Sequence, residues 1–142
     1  MVHQVLNRAR KARFVSFNAP KHEKIELVAV PIERIKSVYG NCFCFLNLRR
    51  EFSDWNFVGN GALWAYNLNY FDYINQPEMP CEVACRWIDR FIADINSVTW
   101  GLDPYPIALR GINWIKFFCR QPECATKERE DSLYSQYRLL ER

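Results

Sequence analysis

Glycine is scarce in this chain, with five residues in 142, and histidine and methionine contribute two each. No Gly-rich phosphate loop is present, and no GxSxG, HExxH or P-loop spacing occurs. Those absences remove the familiar nucleophile-elbow, zinc-protease and nucleotide-binding chemistries. No apolar run approaches the ~20 residues that a membrane-crossing helix needs, so no membrane partner is expected. The basic stretch Met1 to Arg13 is not followed by an apolar core of ~7–15 residues, so no secretory signal is read and the cytoplasm is the expected location. No internal repeat or low-complexity tract is visible.

What is present is aromatic. Hydrophobic residues make up 49% and charged residues 25%, which suits an ordinary globular protein, but Phe, Trp and Tyr reach 15%. Side chains of this kind serve either a large core or a stacking surface. The net charge of +3 is unevenly spread. Residues 1–24 hold Arg8, Arg10, Lys11, Arg13, Lys21 and Lys24 against Glu23, whereas the aromatic stretch 55–108 is acidic. A nucleic-acid binder needs cations around its aromatics, so nucleic acid is not an expected partner. The six cysteines, Cys42, Cys44, Cys81, Cys85, Cys119 and Cys124, are spaced CxC, CxxxC and CxxxxC, with His3 and His22 distant in sequence. A disulfide framework suits an exported chain, and none of these spacings is a familiar zinc pattern. The expectation is reduced core thiols, with no metal and no cofactor.

The chain divides into a basic tail with a short extended segment over 1–40, which remains unassigned, and a structured part over 41–142. Ile25–Val30 and Cys42–Leu46 are short β-favouring runs. Asn47–Asn60 reads as loop. From Ala62 the character is helical, over Ala62–Asn75, Cys81–Val98, Ile107–Arg120 and Lys127–Arg142, with proline breaks between. In the second of these, Val83, Ala84, Trp87, Ile88, Phe91, Ile92 and Ile95 form one apolar stripe. Short connections make such helices antiparallel neighbours.

Two stretches combine polar and aromatic groups in a way that suits a sugar. In the first, Arg110, Asn113 and Trp114 occupy one sector of a helix. A guanidinium can pair with a carboxylate, an amide can bond hydroxyls and an indole can stack on a pyranose. The competing reading is structural, with Arg110 bridging to Asp72 or Asp103. In the second, Tyr66, Asn69, Tyr70 and Tyr73 step by three and four along one face. That face suits either a polar groove or a wet seam between helices. A tyrosine becomes an acid or base only with a lowered pKa or a bound substrate.

Phe45-Leu46-Asn47, the run Leu63 to Tyr73 (LWAYNLNYFDY) and the run Asp103 to Lys116 (DPYPIALRGINWIK) resemble, in order and spacing, the N-terminal domain of heparinase II/III-type proteins. The resemblance spans about residues 43–142. It implies a mainly α fold, a partial, incomplete α/α toroid of antiparallel helices followed in the family by a β-sandwich. It also implies β-elimination at a uronic acid, with an acidic, uronic-acid-containing polysaccharide as partner and an Asn with His and Tyr groups as the machinery. The parent enzymes often act outside the cytoplasm. The family's Gly-Asn-His sequence follows the segment resembling Ser132 to Glu141, and Arg142 precedes it here. The catalytic set therefore has no counterpart in residues 1–142, and the expectation is a non-catalytic N-terminal fragment. By the same resemblance, Tyr66, Asn69, Tyr70, Tyr105, Arg110, Asn113 and Trp114 are candidate substrate-binding residues. A non-catalytic carbohydrate-binding or interaction module is the alternative. Helices separated from their ring are expected to expose faces such as the Trp87–Phe91 stripe and to self-associate.

Overall fold

Cys42-Phe43-Cys44-Phe45 alternates small and large side chains, the period of a strand with one buried face. In the computed structural model, which describes residues 14–27 and 35–141, this segment is the middle strand of an antiparallel sheet. The strands are β1 (Val38–Tyr39), β2 (Cys42–Phe45) and β3 (Leu48–Glu51), in that spatial order. Phe43 lies opposite Val38 on one side and Arg50 on the other, and Phe45 opposite Leu48. Leu46 and Asn47 make the β2–β3 turn with φ of 54° and 61°. Two successive left-handed residues give a hairpin the twist its strands require. β3 falls inside the stretch read from sequence as loop. Its four residues are all exposed, so no buried alternation advertises it, and the turn alone sets it beside β2. The domain boundary drawn at residue 40 cuts through the β1–β2 hairpin. Of the Ile25–Val30 run, residues 25–27 are not a strand and the rest lies outside the described residues.

Four α-helices follow among the described residues: α1 (Ala62–Tyr70), α2 (Cys81–Asp94), α3 (Pro104–Arg120) and α4 (Lys127–Tyr137). The chain is thus mainly α. Pro104 opens α3, where a missing N–H costs nothing. α1 is shorter than its pattern suggests, because Phe71 takes φ 59° and turns the chain into a 3-10 segment, Asp72–Asn75. Phe71 is completely buried among Trp55, Tyr73, Phe91 and Trp114. That packing holds an aromatic residue in a conformation usually left to glycine. α2 and α4 likewise end in single 3-10 turns, at Ile95–Ser97 and Arg138–Glu141.

The aromatic content is core. Phe43 sits edge-on to Tyr73 and Trp87 at 5.0 and 4.9 Å, and Trp55 packs edge-on to Phe91 at 5.1 Å. Trp87 and Phe91 are therefore buried, not exposed as expected, because the sheet and the Phe52–Trp55 loop cover them. Self-association through that stripe loses its basis. The Gln76 side chain closes β1 by accepting from the N–H groups of Ser37 and Val38 and donating to the Val38 carbonyl.

Part of the basic tail docks on α4. Phe17 donates its N–H to Ser135 Oγ, which also donates to the Phe17 carbonyl, and Ala19 donates to Asp131 at 2.6 Å. A mostly apolar groove of about 480 Å³ runs between residues 19–25 and helices α3 and α4. At this groove both nitrogens of the His22 ring face acceptors, the Glu23 carbonyl at 2.8 Å and Glu130 Oε1 at 3.0 Å. Those contacts, the Glu23 carbonyl first and the Glu130 carboxylate second, raise the His22 pKa above 6.5.

Two outcomes are expected. The protonated His22 ring is the form the fold favours, so its contribution is fully present below pH 6.5 and is lost as the pH rises through the raised value. NMR titration should place His22 above 6.5 and bring it down in Glu130→Gln. Unchanged titration in that variant would remove Glu130 from the account. The second outcome concerns Gly111, where an added Cβ would lie 1.9 Å from the Tyr137 hydroxyl. Gly111→Ala should destabilise by about 1–3 kcal/mol despite the better helix propensity of alanine. Adding Tyr137→Ala should cancel part of that cost, so the two changes are non-additive in urea melts.

Candidate functional site

The seven residues singled out from sequence separate into an interior group and a surface group. Asn69, Arg110 and Trp114 are fully enclosed, and Asn113 is 6% exposed. α1 stops at Tyr70, which leaves its last carbonyls without helical partners. Two side chains one turn apart on α3 supply them. Arg110 Nη1 donates to the Asn69 carbonyl at 3.0 Å, and Asn113 Nδ2 donates to the Tyr70 carbonyl at 2.9 Å. Arg110 Nε donates to Gln136 Oε1 on α4 at 2.6 Å, and the guanidinium lies 4.2 Å from the Phe91 ring centre on α2. Neither Asp72 nor Asp103 bridges to Arg110 among the ion pairs of the described residues. The cation is balanced instead by the negative end of α1, a side-chain amide and a π face. Burial pulls its pKa down to about 9, which leaves it charged at neutral pH.

Asn69 donates to the carbonyls of Trp55 and Ala65, and its side-chain oxygen lies where a Cβ on Gly101 would fall. Trp114 packs edge-on to Phe71 and Phe91. The four interior residues are thus committed to joining helices. As observed, they offer no surface to a sugar.

Tyr66, Tyr70 and Tyr105 form the surface group. Tyr105, 62% exposed, stands edge-on to Tyr70 at 5.6 Å. Tyr70 lies 6.3 Å from Tyr66, which is edge-on to Trp100 at 5.8 Å and donates its hydroxyl to Asp103 Oδ2 at 2.6 Å. The result is a run of four rings on α1, the start of α3 and the turn before it, with Tyr105 exposed and the other three half-buried. Trp100 is the member that sequence reasoning missed, because it lies in a 3-10 turn (Trp100–Leu102) outside the helical motif. Burial and the neighbouring Tyr105 raise the Tyr70 pKa, so its phenol is neutral at physiological pH.

A further grouping joins residues distant in sequence. Cys81 and Cys85, one turn apart on α2, meet Cys124 from the 3-10 turn before α4 (Pro122–Cys124), and the three sulfurs lie within 4.8 Å of one another. All six cysteines are free thiols. The CxxxC spacing was the available signal for two of the three members, whereas Cys124 is placed there by the packing of α4 on α2. No helix among the described residues is long and apolar enough to cross a membrane. No protein-family model, curated protein or solved structure matches the chain.

Arg110 is expected to be a stability residue. Arg110→Ala removes a large enclosed side chain and strands the Asn69 carbonyl and Gln136, at a cost of about 3–5 kcal/mol. Arg110→Lys keeps the charge but loses the fork that reaches two acceptors, so it should also melt well below wild type. Chemical melts of the three proteins decide the matter. Variants that melt with wild type would return Arg110 to a solvent-facing groove.

Proposed function

We propose that this chain is the saccharide-contacting helical part of a heparinase II/III-like polysaccharide lyase, an incomplete α/α toroid that carries no catalytic residue of its own. The observation behind this reading is the Tyr66–Tyr70–Tyr105–Trp100 strip. Aromatic rings at a surface stack on pyranose faces, and Tyr105, 62% exposed, is the ring the strip presents to solvent. The motifs over residues 63–73 and 103–116, which carry the family resemblance, supply Tyr66, Tyr70 and Tyr105, and Trp100 lies three residues before the second motif. Because Arg110 is enclosed, the contact with a uronic-acid polymer rests on ring stacking rather than on a guanidinium–carboxylate pair. A self-contained carbohydrate-binding module is the second reading, favoured by the burial of the Trp87–Phe91 stripe within this chain.

Titration with uronic-acid oligosaccharides, followed by Trp and Tyr fluorescence, tests the site. Tyr105→Ala should weaken binding about 2–10-fold while leaving stability within roughly 0.5 kcal/mol of wild type. The same mixtures should develop no absorbance from unsaturated uronate. Absence of binding, or binding indifferent to Tyr105, counts against the strip. Product absorbance abolished by a point change in this chain would overturn the non-catalytic assignment.

A further inference from the structure

We propose that Cys81, Cys85 and Cys124 form a trithiolate site for one soft, thiophilic metal ion, of the Zn²⁺ or Cu⁺ kind. The sulfurs already lie within 4.8 Å of one another. A tetrahedral thiolate site with metal–sulfur bonds of about 2.3 Å needs sulfurs about 3.8 Å apart. Side-chain rotation of around 1 Å closes that difference, so the backbone needs no rearrangement. Two ligands one turn apart on a helix and a third from a neighbouring turn give a triangular face with its open side available. Among the described residues the group has these three members, which leaves a trigonal site for Cu⁺ or an open fourth position on Zn²⁺.

The surroundings suit an ion of this type. Cys124 is buried and the other two are half-buried, so the site is shielded while remaining reachable. Cys81 also lines a polar cavity of about 240 Å³, which provides a path for entry. Each ligating thiol gives its proton to solvent, so a divalent ion replaces three protons and leaves one net negative charge. Arg129, paired with Asp89, lies alongside. It donates to the Cys124 carbonyl at 2.8 Å and is held by both oxygens of Asp89. Binding should strengthen with pH, because the thiol protons must leave first.

The test is anaerobic titration of the reduced full chain with Co²⁺ as a spectroscopic stand-in for Zn²⁺, with Zn²⁺ competition, and separately with Cu⁺. One ion per chain is expected, with a thiolate-to-cobalt charge-transfer band that Zn²⁺ abolishes, or one Cu⁺ held against a competing chelator. Either arm supports the site and assigns the ion. Cys81→Ser and Cys85→Ser should lose the ion, whereas Cys42→Ser and Cys44→Ser should keep it. A reading independent of variant folding is thiol alkylation of wild type mapped by mass spectrometry. Added metal should protect Cys81, Cys85 and Cys124 and leave Cys42, Cys44 and Cys119 as reactive as before. No binding in either arm, equal protection of all six thiols, or ion retention by the Cys81→Ser, Cys85→Ser double variant would overturn the proposal.

Discussion

The enclosed guanidinium of Arg110 is the point on which the helical part of this protein converges. It grows from α3, donates to the last turn of α1, donates to Gln136 of α4 and lies against the Phe91 ring of α2. A buried cation is costly, and the usual remedy is a carboxylate. Here the remedy is distributed. The C-terminal end of α1 provides partial negative charge, and its unpaired carbonyls need donors in any case. The two deficits meet in part, since Nη2 of Arg110 has no hydrogen-bond partner, and Asn113 repeats the arrangement one turn along at Tyr70.

That arrangement depends on where α1 ends. Phe71 leaves the helix through a left-handed conformation and enters the centre of the aromatic core. Had α1 continued, Asn69 and Tyr70 would have spent their carbonyls within the helix and Arg110 would have lost its main acceptor. The backbone cost at Phe71 is therefore tied to the packing of four rings around it and to the carbonyls that ending α1 there leaves for α3. The small sheet completes the enclosure by laying Phe43 and Phe45 over Trp87, Tyr73 and Trp64.

With the polar interior committed to structure, chemistry is left to what remains outside it. The Tyr66–Tyr70–Tyr105–Trp100 run reaches solvent at Tyr105, beside the α1–α3 contact. The thiol group lies where α2 meets the turn leading into α4. The two places share no residue with each other, but both stand on helices that the Arg110 junction joins.

Periodicity and proline placement were enough to locate the helices, since the stripe along α2 and the prolines around α3 depend only on local sequence. The grouping of Arg110, Asn113 and Trp114 was likewise legible, because a helix sets which residues share a sector. Which way that sector faces was not, because inside and outside are defined by neighbours that α3 does not encode. β3 escaped notice because none of its residues is buried, and the end of α1 escaped because a phenylalanine stands where glycine is usual. Cys124 joins Cys81 and Cys85 only through the packing of α4 on α2. Local sequence determined the elements and the order of side chains along each face. Tertiary packing decided which face met a partner, since burial belongs to pairs of elements and not to any one of them.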